Sequence, residues 1–222
     1  LGIDGFRSYL SYLEEDEEEL EAMINAITTN YTSFFREPEH FQFLAERFIP
    51  ALLEEDRRRV RIWSAGCSSG EEPYSLAMEL LEHIPDISAR DVLILATDIS
   101  TRALSVASRG IYPPEMVFKC PPELRRRYFR EDEGGDAFSV SPEVRRLVRF
   151  RYLNLFDRWP MRGPFDLILC RNVMIYFERG PKMELVRRFH GILRPGGYLF
   201  IGHSESLVGD EHGLRYVQPA VY

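Results

Sequence analysis

Residues 63–75 have the sequence WSAGCSSGEEPYS and join an apolar stretch to an amphipathic one. Gly66 and Gly70 allow the backbone to turn tightly and to approach a ligand closely. The chain then enters a helix whose first N–H groups have no partner within the helix. The segment lacks the G-x-G-x-x-G spacing and the Lys-Ser/Thr of a phosphate-binding loop. It therefore indicates a strand–loop–helix unit. Its glycines either only allow the tight turn or also let the backbone contact a ligand.

The same alternation of short apolar strands and amphipathic helices continues on both sides of this loop. The predicted elements are strand 60–66, helix 71–84, strand 92–98, helix 99–110, strand 165–170, helix 181–193 and strand 196–204. This order predicts a doubly wound α/β fold with a largely parallel sheet. The C-terminal residues 214–222 suit a last strand that returns antiparallel.

Two segments fall outside this alternation. Helical periodicity predicts helices over 6–13 and 16–28 and a third helix beginning at Pro38, so the chain opens with a helical segment. Strand-like residues flank Gly134 and Gly135, which indicates a small β insertion at about 129–150.

Composition limits the function classes. The chain has 222 residues and a formal net charge of −7, which disfavours nucleic-acid binding. The three cysteines match no metal-ligand spacing, and we expect no metal and reduced thiols. We expect neither a membrane span nor a signal peptide, so we predict a cytoplasmic protein.

The residue at the end of the second parallel strand narrows the class of ligand that the glycine loop indicates. Asp98 follows the apolar strand, and an acid at that position commonly accepts hydrogen bonds from a ribose. Glu71 and Glu72 at the head of the helix would repel a pyrophosphate. They would not repel S-adenosylmethionine, which has no phosphate and carries a sulfonium cation. The residues therefore favour S-adenosylmethionine, with S-adenosylhomocysteine as product, over a dinucleotide.

Six segments in order resemble the motifs of the CheR family of chemotaxis-receptor glutamate O-methyltransferases. They are TTNYTSFFREPEHF (28–41), WSAGCSSGEEPYS (63–75), ATDIS (96–100), LNLF (153–156), FDLILCRNVMIYF (165–177) and LRPGGYLFIGHSESL (193–207). The resemblance implies a class I methyltransferase domain over 28–222, preceded by the end of a helical domain over 1–27.

The resemblance also implies a set of site residues. The predicted cofactor-binding residues are Asn30, Thr32, Arg36, Gly66, Glu72, Asp98, Asn154, Leu155, Arg171 and Asn172. We expect residues 28–36 to cover the cofactor, with Phe34 and Phe35 excluding water beside the sulfonium. The alternative for this segment is a hydrophobic anchor with a helix N-cap formed by Ser33 or Thr32.

Methyl transfer to a glutamate carboxylate needs no general base, because the acceptor is already ionised at neutral pH. The protein has to remove water and hold the acceptor oxygen in line with the departing sulfur. Arg36 is the candidate to hold a carboxylate, and Tyr176 is the candidate hydroxyl at the methyl site. His203 resembles a base but is left outside the predicted site.

The expected partners are the cytoplasmic domains of chemoreceptors, methylated by a monomeric enzyme. The short sequence EDEGGDAFSV at 131–140 indicates a protein that does not bind a receptor C-terminal pentapeptide. Two alternatives remain open. One is a related methyltransferase acting on a small molecule or another protein, and the other is a non-catalytic cofactor-binding module that docks on receptors.

Overall fold

A computed structural model describes residue 3, residues 5–207, residue 209 and residues 211–222. Five parallel strands form its central sheet in the order β6 (Val148–Tyr152), β2 (Asp91–Asp98), β1 (Arg59–Ala65), β7 (Phe165–Cys170) and β8 (Leu193–Ile201). The strand order reverses between β1 and β7. In such sheets a ligand crevice opens at this point, outside the carboxyl ends of the strands.

Helices cover both faces of the sheet. Those that follow the central strands are α5 (Glu71–His83), α6 (Thr101–Arg109) and α10 (Arg179–Ile192). Alternate residues of one strand enter different cores: Leu167 and Leu169 belong to one cluster, Ile168 and Cys170 to the other. This two-sided burial explains the near-continuous apolar character of the strand sequence. The predicted doubly wound α/β fold is confirmed.

The N-terminal part is helical, as expected. Its elements are α1 (Phe6–Glu15), α2 (Glu17–Ile27), α3 (Pro38–Phe43), a π-helical turn (Leu44–Phe48) and α4 (Ile49–Glu54). Helix α2 is capped by Asp16, whose carboxylate accepts the Glu19 N–H at 3.0 Å. None of the helices in the described ranges is long and apolar enough to cross a membrane.

A second, antiparallel sheet lies outside the central one. It has the order β3 (Ile111–Tyr112), β5 (Phe138–Val140) and β4 (Phe129–Glu131). Two short helices, α7 (Pro114–Val117) and α8 (Pro122–Tyr128), lie between β3 and β4 in the sequence, and a third, α9 (Pro142–Arg145), follows β5. A turn at 133–136 joins β4 to β5 as the two glycines predicted.

The limits of this sheet differ from the predicted 129–150. It begins at Ile111, and Val148–Tyr152 pairs in parallel with β2 in the central sheet. The difference has a physical cause: only one face of β6 packs on the core, with Val148 buried and Phe150 partly buried while Arg149 and Arg151 are exposed. Its sequence therefore alternates as in an antiparallel strand with one solvated face.

The C-terminal residues return antiparallel to β8, as predicted, but over a shorter length. The Tyr222 N–H donates to the Leu199 carbonyl at 3.0 Å, and the Leu199 N–H donates to the Tyr222 carbonyl at 2.8 Å. The Ile201 N–H donates to the Ala220 carbonyl at 2.9 Å. The pairing is confined to this last turn of chain, and residues 214–217 do not form a regular strand.

Candidate functional site

A cavity of about 420 Å³ opens at the carboxyl ends of the central strands. Its volume lies within the usual range for small-molecule sites. The lining comes from the 27–36 loop, the loop after β1, the end of β2, and the segments that follow β6 and β7. The crevice predicted by the strand order is therefore a real concavity, and five chain segments meet in it.

The glycine loop and Asp98 form one wall of the cavity. Gly66 has φ +87°, and a Cβ there would collide with Val173, so only glycine fits. Asp98 accepts the Ser68 N–H at 2.8 Å and the Ser100 N–H at 2.9 Å. Burial raises the pKa of Asp98, although these N–H donors act in the opposite direction. Asp98 thus fixes the loop while it faces the cavity.

A buried arginine joins the sheet to the N-terminal loop. Arg171, directly after β7, pairs with Glu72 at 2.9 Å and with Glu37 at 3.0 Å, and it also donates to the Arg36 carbonyl. Ser64 donates to the other Glu72 oxygen at 2.7 Å. Burial alone would raise the pKa of Glu37, but the Arg171 charge and the hydrogen bonds that Glu37 accepts hold it below its usual value. The three ionised groups hold residues 36–37 against the strand ends.

The loop over the cavity is tied down by polar contacts. Asn30 donates to Ser100 at 3.4 Å, and Ser68 donates to the Asn30 carbonyl at 2.9 Å. Arg36 donates to the Tyr31 carbonyl at 3.0 Å, and its guanidinium lies 5.6 Å from the centre of the Tyr31 ring. Within the described ranges no carboxylate pairs with Arg36, so its remaining donors are available to a ligand.

The expectation for the two phenylalanines is wrong. Phe34 is buried against Tyr112 and Phe129 of the second sheet, and Phe35 packs on Phe41. Neither lines the cavity. They anchor the loop in the core, because a polar loop needs apolar attachment points to keep one conformation. The alternative is therefore right about the hydrophobic anchor and wrong about the cap, since Glu37 occupies the N-cap position of α3 without a capping side chain.

The turn after β7 carries Asn172 and Tyr176. A buried carboxylate, Glu205, accepts the N–H of Asn172 and of Ile175, each at 3.0 Å, and also the N–H of Gly202. Burial raises the pKa of Glu205. The Tyr176 side chain is 62% exposed, so it is not part of the hydrophobic core.

The segment after β6 forms the remaining wall. Asn154 caps its own turn by accepting the Phe156 N–H at 3.0 Å, and the Leu155 carbonyl accepts from Trp159 and Arg188. Phe156 packs edge-on against Phe177, with ring centres 4.8 Å apart. This wall presents apolar and aromatic surface, as the adenine side of a nucleoside site requires.

All eleven predicted site residues line this one cavity, while their individual roles stay predictions. Sequence reasoning missed Ser68, Tyr31, Glu37 and Glu205. All four lie inside the quoted segments 28–41, 63–75 and 193–207, so their presence in those motifs was the available signal. His203 lies outside the cavity lining, and its N–H donates to Glu37 at 3.3 Å.

One group of residues in the described ranges could offer three ligands to a metal: Glu37, His40 and His203. The Glu37 oxygen nearest His40 also accepts from the Arg171 guanidinium at 3.0 Å. Burial, aided by the Arg171 charge, lowers the pKa of His40 to about 3. A guanidinium already neutralises this carboxylate, so we assign the cluster no metal.

The cavity fits S-adenosylmethionine. Its lining combines the Asp98 carboxylate with the apolar rings of Phe156 and Phe177, and Gly66 allows close approach to the backbone. The doubly wound sheet and this site define an S-adenosylmethionine-dependent class I methyltransferase.

Comparison with known proteins identifies the family. Residues 30–222 match the family model described as "CheR methyltransferase, SAM binding domain". A probable chemotaxis protein methyltransferase of Rhizobium etli is 42% identical over 95% of this chain and 81% of its own length. A chemotaxis protein methyltransferase of Borreliella burgdorferi is 41% identical over 100% of this chain and 80% of its own. The chain belongs to the CheR methyltransferase family.

More distant likenesses add nothing to the argument about the site. A solved structure of PKMT2 from Rickettsia typhi in complex with AdoHcy aligns with 65% of this chain and 21% of its own. The TM-score is 0.40 and the sequence identity is 14%.

Proposed function

We propose that this protein transfers a methyl group from S-adenosylmethionine to glutamate side chains in the cytoplasmic domains of chemoreceptors, producing glutamate methyl esters. The observation that carries the proposal is that Arg36 and Tyr176 line the same cavity. Arg36 has no carboxylate partner within the described ranges, whereas the neighbouring Arg171 has two. An unpaired guanidinium beside a cofactor cavity suits a carboxylate ligand.

The lining also agrees with an acceptor that needs no deprotonation. No histidine or cysteine is among the described lining residues. Its carboxylates are engaged: Glu72 accepts from Ser64 and Arg171, and Asp98 accepts from two backbone N–H groups. A glutamate acceptor is ionised at neutral pH, so positioning and water removal are what the protein has to provide.

Residues of this chain divide the work as follows. Asp98 accepts from the ribose hydroxyls, Asn30 and Thr32 bond the methionine part, and Asn154 and Leu155 lie beside the adenine. Arg171, Glu72 and Asn172 hold the strand ends against the covering loop.

When bound, S-adenosylmethionine supplies an electrophilic methyl group on a sulfonium. Arg36 holds a carboxylate, and the Tyr176 hydroxyl orients the acceptor oxygen for in-line attack.

The family relationship supports a chemoreceptor as the acceptor. The curated relatives that match nearly the whole chain are chemotaxis protein methyltransferases. We propose that the protein acts as a monomer, without a metal and without a receptor-tail tether.

The test is a competition between acceptor classes. Methyl-labelled S-adenosylmethionine is incubated with the protein and one of three acceptors. They are a chemoreceptor cytoplasmic fragment, the same fragment with its glutamates changed to aspartates, and the protein-free small-molecule fraction of a cell extract. Label in the first acceptor alone supports the proposal. Label in the extract alone indicates a small-molecule methyltransferase. No label in any of them, with S-adenosylhomocysteine still bound, indicates a non-catalytic module.

A further inference from the structure

Cations and aromatic rings alternate in a row that begins at the mouth of the cavity. The Tyr31 ring has the Arg36 guanidinium 5.6 Å from its centre and the Lys119 ammonium 5.9 Å from it. Phe118, next to Lys119 in the chain, has the Arg125 guanidinium 4.6 Å from its ring centre. We call these five residues the cation–aromatic strip.

The strip is open to solvent. Tyr31 is 71% exposed and Phe118 is 57% exposed, which is unusual for aromatic side chains of this size. Lys119 is exposed as well. Within the described ranges none of the three cations pairs with a carboxylate, although many other arginines of the chain do.

The position of the strip connects the reaction site to the second sheet. Arg36 and Tyr31 line the cavity, and Phe118 packs on Phe138 of β5 with ring centres 5.9 Å apart. The segment before the covering loop has the opposite charge, because Glu17, Glu18 and Glu19 form the first turn of α2. In a chain of net charge −7, the strip is a local cationic surface beside the site.

We propose that the cation–aromatic strip is the docking surface for a glutamate-rich segment of the acceptor protein. Lys119 and Arg125 bind acidic residues that flank the methylated glutamate, and the Tyr31 and Phe118 rings pack on their aliphatic stems. This inference rests on the proposed function and adds a recognition element to it. Charge complementarity argues for it, since an acidic stretch is repelled by the first turn of α2 and attracted by three unpaired cations.

The test uses steady-state kinetics with a chemoreceptor cytoplasmic fragment as the methyl acceptor. The variants are Lys119→Glu, Lys119→Arg and, as a matched charge reversal, Arg59→Glu. Arg59 begins β1, at the end of the sheet opposite the cavity, and its side chain is 74% exposed. We expect Lys119→Glu to raise KM for the fragment about three- to ten-fold and to weaken its salt dependence. Its kcat and its affinity for S-adenosylhomocysteine stay at the parent values.

The controls separate the possible outcomes. Lys119→Arg restores the parent KM if charge is what matters, and Arg59→Glu leaves KM unchanged if position matters. Parent KM in Lys119→Glu, or an equal rise in Arg59→Glu, overturns the docking surface while the proposed function stands. A parent protein that labels no receptor fragment overturns the proposed function and the docking surface together.

Discussion

Arg171 and Glu72 form a buried ion pair across the carboxyl edge of the sheet, with Nη1 of the arginine 2.9 Å from Oε2 of the glutamate. Only 2% of the Arg171 side chain is exposed, and the same guanidinium reaches Glu37 at 3.0 Å. One arginine therefore holds together the end of β7, the first turn of α5 and the loop that covers the cavity.

Removing this arginine should destabilise the protein strongly. Arg171→Met leaves two carboxylates without their counter-charge, which costs about 3–5 kcal/mol of unfolding free energy. Denaturant unfolding measures it, with the exposed Arg126→Met as control; the Arg126 side chain is 71% exposed and should change stability little. Equal stability of Arg171→Met and the parent would show that the pair does not hold the loop.

Asp98 should control cofactor affinity in a pH-dependent way. Asp98→Ala leaves ribose hydroxyls unpaired, which costs on the order of 1–3 kcal/mol of binding free energy. Burial raises the Asp98 pKa in the free protein, and only the ionised form accepts from both hydroxyls. Affinity for S-adenosylhomocysteine is therefore constant above that pKa and falls as the pH drops through it.

Calorimetry across this pH range, with Asp98→Asn as the matched variant, checks the assignment. Asn cannot ionise, so its affinity should be lower at neutral pH and should lack the acidic fall. Unchanged affinity in Asp98→Ala, or the same acidic fall in Asp98→Asn, would refute the placement of the ribose beside Asp98.

Much of the fold could be predicted from the sequence because it depends on local patterns. Strand and helix periods around Gly66 and Gly70 specified the parallel sheet, and parallel strands bring their carboxyl ends to one edge. Residues that follow different strands, such as Asp98 and Arg171, could then be placed in one cavity before any contact was known.

The contacts that were missed depend on residues far apart in the sequence. Arg171 meets Glu37 across 134 positions, and no local pattern encodes that pairing. The aromatic pair was misplaced for the same reason: Phe34 turns away from the cavity because the second sheet offers it Tyr112 and Phe129. The sequence of β6 predicts part of the insertion because only one face of this strand is buried, which gives an alternating pattern.

Glu205 should act as a positioning residue for the turn that carries Tyr176. Glu205→Gln replaces one acceptor oxygen by a donor that faces backbone N–H groups, which costs about 1–3 kcal/mol of stability. We expect kcat for methyl transfer to fall about ten-fold, with a smaller loss of cofactor affinity, because Ile175 adjoins Tyr176. The exposed Glu184→Gln on α10 is the control. Parent kcat in Glu205→Gln would contradict the role.

The second sheet should not bind a receptor-tail pentapeptide tightly. The link from β4 to β5 is short and closed on itself, since Asp132 bonds the N–H of Asp136 at 3.0 Å and of Ala137 at 3.1 Å. This short link cannot form a wall for peptide side chains, and the pairing of an added strand is weak by itself. Calorimetric titration with the pentapeptide should give no micromolar binding. Micromolar affinity mapped to residues 129–150 would disprove the prediction.

In the proposed function, Arg36 and Tyr176 position a glutamate carboxylate for methylation. The most direct measurement is single-turnover transfer of labelled methyl from S-adenosylmethionine to a chemoreceptor cytoplasmic fragment, followed by mild alkali, which releases methanol from a carboxyl ester. We expect alkali-released label with the parent protein and slower transfer with Tyr176→Phe at nearly unchanged cofactor affinity. For Arg36→Ala we expect a transfer rate lower by about 100-fold or more. Alkali-stable label, or parent rates in both variants, would contradict it.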